Sequence, residues 1–275
     1  MDKTPMEMEM PVVESLNQSK DTLINQQQVQ KLYIVLPAYN EEGNLPSLLQ
    51  RIINTMAYTP VSSYEVIVVN DGSKDKTLEI AKDWATKMPL RVVNHPVNKG
   101  LGQTIRDGLF TASQITTERD IVVALDADDT QPPELIPRMI QQIREGHDVV
   151  IASRFQKGAR VIGLTRFREV MSVGASWVFR LLFPIRGVRD FTCGFRAYRA
   201  ATLKKAFAHY GDDKFIDQEG FQCMVDILLK LRKLDVVFGE LPFILRYDFK
   251  EGESKMNVSK TVKNTFGLIW KRWFE

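Results

Sequence analysis

Short runs of consecutive apolar residues alternate along this chain with stretches whose apolar residues recur every three or four positions. Leu32 to Leu36 is the first such run, closed by Pro37. Its length and β-branched content predict a strand buried on both faces. Asn44 to Met56 follows with Leu45, Leu48, Leu49, Ile52 and Ile53 at helical spacing, Asn44 positioned to cap it and Pro46 in its first turn. The alternation repeats. Strands are predicted at Glu65 to Val69, Leu90 to Asn94, Ile121 to Leu125 and Asp148 to Ala152, and helices at Asp75 to Lys87, Gln103 to Ser113 and Glu134 to Gly146. Strands and helices alternating over short connections predict an α/β fold with a mostly parallel central sheet and helices on both faces. Ligands of such sheets bind at the carboxyl ends of the strands. The polar clusters of this chain fall there, after Leu36, Val69, Asn94 and Leu125.

Residues 1 to 30 depart from the pattern. They are rich in Met, Gln, Asn and Ser, and a flexible tail is expected. The folded domain is expected over 31–255, followed by an amphipathic helix over 256–275. Two cysteines, Cys193 and Cys223, are too few for a disulfide framework, and no secretory signal opens the sequence, so a reducing setting is expected. A net charge of +3 is too balanced to call for nucleic acid. No apolar run reaches the roughly 18–20 residues of a membrane span; Ser172 to Ile185 is short and contains Arg180.

The chemistry begins with Asp126-Ala127-Asp128, at the end of an apolar strand. Residues two apart in extended backbone share a side. Two carboxylates that close repel, and a cation between them resolves the repulsion. Oxygen donors at a strand end suit Mg2+ or Mn2+, with substrate phosphates completing the shell. Asp-x-Asp is often only a solvated turn; the strand before it, Pro132-Pro133 after it and the companion loops argue for a site. Alternation turns Asp129 away, toward a supporting role. In Asn70-Asp71-Gly72-Ser73, Asp71 is placed to accept from a base or ribose; alternatively Asp71 or Ser73 caps the next helix. Asn98-Lys99-Gly100-Leu101-Gly102 brings a cation and two glycines to a helix start, where phosphate can bind. It has neither the dinucleotide-fold nor the P-loop signature.

Val35-Leu36-Pro37-Ala38-Tyr39-Asn40-Glu41-Glu42 and the three clusters just described, in this order and at this spacing, resemble the family 2 glycosyltransferases of the GT-A fold. The likeness covers residues 31 to 260. Ala152-Ser153-Arg154, Arg168 to Ala175, Asp190 to Arg199, and Arg246 with Gly252-Glu253-Ser254-Lys255 are similar to the dolichyl-phosphate mannose synthases and their bacterial polyprenyl-phosphate relatives. The resemblance implies a nucleotide-sugar donor, a divalent metal, a polyprenyl or dolichyl monophosphate acceptor, and inversion at the anomeric carbon. Carried over by position, it implies that Pro37, Tyr39 and Glu41 hold the nucleotide, with Asp71 on its base or ribose and Lys99 and Gly100 nearby. Asp126 and Asp128 would bind the metal on the diphosphate. Arg154, Arg168, Arg246 and Lys255 would hold the acceptor phosphate. Where the mannose synthases often have Gln this chain has Thr130, which leaves the neighbouring Gln131 as candidate third ligand. The Asp190 to Arg199 segment is more like the mannose synthases than their glucose-transferring relatives, which puts GDP-mannose ahead of UDP-glucose.

A phosphate monoester is already ionised at neutral pH, so it needs cationic forks to position it and no general base. A sugar hydroxyl would need a carboxylate base. Asp217 and Glu219 are the candidates, their alternative being an ordinary helix start. The rival functions are transfer to a glycan or glycolipid hydroxyl, and nucleotide-sugar binding without catalysis. Leu164 to Phe183 and Thr261 to Phe274 interleave basic and aromatic residues as interfacial helices do. They are expected to rest on a membrane surface, making a peripheral protein of the cytoplasmic face.

Overall fold

The structure, a computed structural model, describes residues 30–163, 174, 176–249, 264, 267 and 268. The described strands are β1 (Lys31–Ala38), β2 (Ser63–Asp71), β3 (Leu90–His95), β4 (Ile121–Ala124), β5 (Val149–Ser153), β6 (Arg160–Ile162), β7 (Arg196–Arg199), β8 (Phe238–Pro242) and β9 (Ile244–Arg246). The helices are α1 (Leu45–Met56), α2 (Thr77–Trp84), α3 (Leu101–Ile115), α4 (Ile136–Arg144), α5 (Ala200–Tyr210) and α6 (Cys223–Leu231), and residues 176–182 are also helical.

Seven strands form one sheet in the order β3-β2-β1-β4-β7-β5-β8. Every neighbouring pair is parallel except those made by β7, which runs against both β4 and β5. β6 and β9 form a separate parallel pair. The sheet is thus mixed and mostly parallel, as expected. β1 is buried without interruption from Leu32 to Ala38, which requires cover on both faces. From β1 the chain steps outward through β2 to β3. It then returns through α3 to β4, on the other side of β1. The connections leaving β1 and β4 therefore diverge, opening a crevice at their carboxyl ends.

The five predicted strands and four predicted helices are all present, with ends shifted by a few residues. In α1, Leu45, Leu48, Leu49, Ile52 and Met56 are buried, as the spacing requires. Asn44 does not cap it through its side chain; the amide instead donates to Glu41 Oε2 at 2.7 Å. Glu134, expected to be helical, falls in a 3-10 turn, Pro133–Leu135, that leads into α4. Asp217 and Glu219 are not a helix start, since α6 begins only at Cys223. Their segment lies against the first turn of α3. The Gly102 amide donates to Glu219 O at 2.8 Å, and a Cβ on Gly102 would stand 1.6 Å from Gln218 O. Only glycine allows this approach.

Gly102→Ala therefore forces two backbones apart, with an expected destabilisation of at least about 2 kcal/mol. Urea unfolding followed by circular dichroism measures it; an unchanged midpoint would contradict the packing.

Candidate active site

The loops after β1 and β2 are tied to each other before any ligand is considered. Asn40 is held in the left-handed region at φ 54°. Its amide donates to Ser73 Oγ at 3.0 Å, and its Oδ1 accepts from the Lys74 amide at 2.8 Å. Glu41 N–H donates to Thr77 Oγ1 at 2.7 Å. Glu42 N–H donates to Asp75 Oδ2, and Glu42 Oε2 accepts from the Lys76 amide. Pro37 pairs with Val69 within the buried part of β1, and Glu41 follows on a loop tied to the one after β2. Neither Asp71 nor Ser73 caps α2. That local role falls to Asp75, which accepts from the Thr77 amide and hydroxyl.

Asp71, 3% exposed, reaches across to the next loop instead. It accepts from Lys99 N–H at 2.8 Å and from Gly100 N–H at 2.9 Å, while His95 Nδ1 lies 2.8 Å from its Oδ1. The amides expected to meet phosphate are thus turned inward, to Asp71 and, through Gly102, to Glu219. The Lys99 side chain is exposed. Sequence reasoning did not single out His95 or its second partner, Asp107. Their signal is positional, because the β2–β3 register sets Asp71 opposite His95.

Asp126 and Asp128 follow β4 and are each oriented from within their own loop. Gln131, 3% exposed, holds Asp126 at both ends: its Nε2 donates to Asp126 Oδ2 at 2.6 Å, and its Oε1 accepts from Asp126 N–H at 2.9 Å. Thr130 Oγ1 donates to Asp128 Oδ1 at 2.7 Å. Asp129 pairs with Arg51 at 2.5 Å and Ser47 at 2.7 Å, set there by a turn in which its φ is 56°, not by strand alternation, since β4 ends at Ala124. A cleft of about 500 Å3 opens there between Ser47, Arg51, Asp129, Glu134 and Phe249. Among the described residues no group of three or more His, Cys, Asp or Glu gathers as a metal site. A pair of carboxylates does fit Mg2+ or Mn2+ that keeps waters and binds through substrate phosphates.

The segment entering β7 closes the other side. Gly194 lies against Asp126, with room for a Cβ only 3.3 Å from Oδ1. Asp190, fully buried, takes a two-pronged grip from Arg154 at 2.8 and 2.7 Å and accepts from the Cys193 amide. Burial alone would raise the Asp190 carboxyl, but the Arg154 charge and its hydrogen bonds hold it below the usual range. The fork expected to meet an acceptor phosphate is therefore engaged by Asp190. Burial pushes the thiols of Cys193 and Cys223 up to about 12, which leaves both as neutral packing groups.

Arg246 ends β9 beside the acidic loop. Its amide donates to Thr130 O at 3.0 Å, and its guanidinium grips Asp248 at 2.8 and 2.7 Å and stacks 3.9 Å from the Phe249 ring centre. Arg168, Lys255 and the rest of Gly252 to Lys255 lie outside the described residues, as do most of both expected interfacial helices. Within 176–183, Phe179 and Phe183 are buried while Trp177 and Leu181 are exposed, with Arg180 over the Trp177 ring. No helix among the described residues is long and apolar enough to cross a membrane.

A mixed sheet whose carboxyl edge gathers interlocked polar loops around an acidic pair defines a GT-A fold. The chain belongs to glycosyl transferase family 2, whose family model matches residues 33–207. It is 34% identical over 233 residues to the dolichol-phosphate mannosyltransferase of Pyrococcus furiosus, an alignment covering 84% of this chain and 60% of that relative. To the undecaprenyl-phosphate mannosyltransferase of Micrococcus luteus it is 31% identical over 254 residues, 88% of this chain and 96% of the relative. Its fold is similar to that of glucosyl-3-phosphoglycerate synthase from Mycobacterium tuberculosis, solved with Mn2+, uridine diphosphate and phosphoglyceric acid. The TM-score is 0.62 at 19% identity, over 97% of this chain and 84% of that one.

Asp190→Asn leaves the Arg154 charge buried without its partner and is expected to cost about 3–5 kcal/mol at neutral pH. The folded carboxyl lies below its unfolded value. Its stabilisation is therefore complete above the ordinary range near about pH 4 and is lost as pH falls below it. Urea unfolding at neutral pH and near about pH 3 tests the sign: the parent should lose more stability on acidification than the variant.

Proposed function

We propose that this chain moves a hexose from a nucleotide sugar to a polyprenyl or dolichyl monophosphate, with inversion at the anomeric carbon. GDP-mannose is the donor put first and UDP-glucose second. One observation carries the acceptor side: the Arg246 amide is bonded to Thr130 O, so the cationic end of β9 adjoins the loop bearing Asp126 and Asp128. Both aligned relatives have names that specify a polyprenol-type phosphate and mannose.

In this reading Asp126 and Asp128 hold Mg2+ or Mn2+. An ion bound there would supply charge to offset what builds on the departing nucleoside diphosphate. Gln131 keeps Asp126 in place; with its oxygen already accepting from Asp126 N–H, positioning suits it better than direct ligation. Tyr39, Glu41, Asp71 and Lys99 take the nucleotide along the interlocked loops. Arg246 orients the acceptor phosphate, with Arg168 and Lys255 assigned beside it from sequence. An acceptor oxygen, already anionic, attacks the anomeric carbon as the bond to the diphosphate breaks. Arg154 acts through Asp190, anchoring the segment that abuts Asp126. Of the two carboxylates that could serve a hydroxyl acceptor as base, Asp217 is engaged by buried Lys230 at 3.1 Å. Exposed Trp177 and Leu181 beside Arg180 support peripheral attachment to a membrane surface, assigned to the cytoplasmic face.

The test is transfer from GDP-mannose or UDP-glucose to polyprenyl phosphate in detergent, with MnCl2 or MgCl2. Asp126→Asn and Asp128→Asn should each lower turnover at least about 100-fold. Arg246→Ala should lose transfer by a similar factor while donor affinity stays within about threefold. Unchanged turnover in Arg246→Ala removes it from the site, and product formed only with free glycan acceptors selects the rival reaction.

A further inference from the structure

At the end of β3 the chain buries an imidazole between two carboxylates. His95 is 4% exposed. Its Nδ1 lies 2.8 Å from Asp71 Oδ1 and its Nε2 2.9 Å from Asp107 Oδ2. An ionised carboxylate only accepts hydrogen bonds, and a neutral imidazole has one N–H and one acceptor nitrogen. Two ionised partners are therefore satisfied together only by a ring that carries a proton on each nitrogen. Without that cation, two carboxylates would flank a neutral ring and repel each other in a water-poor site.

The surrounding groups fit this arrangement. On the α3 side, Gln103 Nε2 donates to Asp107 Oδ1 at 2.7 Å, and Arg106 Nε lies 3.8 Å from the same oxygen. On the β2 side, Asp71 collects the Lys99 and Gly100 amides. The charged residues around the ring are thus Asp71 from β2, Arg106 and Asp107 from α3, and Lys99 from the loop between β3 and α3.

We propose that His95 is a positioning residue for the sugar-nucleotide site, an imidazolium that draws Asp71 and Asp107 together and so fixes the Lys99–Gly100 loop against the end of β2. The inference rests on the donor reading of Asp71. Donor affinity should depend on the charge of the ring, while the chemical step should not.

Histidine-selective 15N NMR of the full chain reads the ring directly. The chain has three histidines, so replacing His147 and His209 assigns His95 without disturbing it. Near about pH 7.5 both of its ring nitrogens should give the signals of protonated nitrogen; one unprotonated nitrogen overturns the proposal. His95→Gln should raise the KM for GDP-mannose or UDP-glucose about tenfold, with kcat and acceptor KM within about twofold. In Asp107→Asn one of the two carboxylates that keep the ring charged is gone. Donor KM in that variant should rise about tenfold with kcat within about twofold; an unchanged donor KM also overturns the proposal. If neither nucleotide sugar binds the parent chain, the donor reading fails, and the NMR result still decides the state of the ring.

Discussion

Backbone amides at the carboxyl end of a parallel sheet point into loops that have no ladder to satisfy them, and here carboxylates of neighbouring loops take them. Asp71 collects two amides from the loop after β3. Asp75 accepts from the Glu42 amide and Glu42 from the Lys76 amide, between the loops after β2 and β1. Asp190 accepts from the amides of Arg154 and Cys193. A buried amide left unpaired costs about 1–3 kcal/mol, so the buried carboxylates Asp71 and Asp190 fix their loops against their neighbours. The edge is rigid because loops grip one another, with the apolar sheet below supplying only their roots.

The same economy explains what could be read from the sequence. The first half of the sheet was legible because its strands are unbroken apolar runs and its helices keep a clean apolar face; Leu32 to Leu36 and the 45, 48, 49, 52 series admit little else. Strand β7 was not legible. Arg196-Ala197-Tyr198-Arg199 carries two arginines and a tyrosine, yet Arg196 is fully buried, bonded to the carbonyls of Phe191 and Met224. Partners far apart in sequence make that burial tolerable, and no local pattern announces them.

At the site, residue types were legible and their partners were not. Asp129 was read as standing apart from the acidic pair, and it does pair with Arg51, but a turn with a left-handed Asp129 puts it there and strand alternation does not. Asp71 stood out as a strand-end carboxylate, but its grip on the next loop depends on the β2–β3 register. Arg154 was legible as a cation in a family pattern; its fork with Asp190 needs the fold to bring together residues 36 positions apart. His95 carried no signal, since a histidine closing a strand is unremarkable until a carboxylate is found on each side.

Strand β7 has a consequence for how this chain can diversify. Because it runs against its neighbours, its entrance, not its exit, reaches the carboxyl edge, where Gly194 lies against Asp126. The loops after β1, β2 and β3 are bonded to one another across that edge. The segment entering β7 is held there by buried Asp190 in the fork of Arg154. Substitution in that segment is therefore free only where it leaves Asp190 paired with Arg154 and Gly194 small beside Asp126.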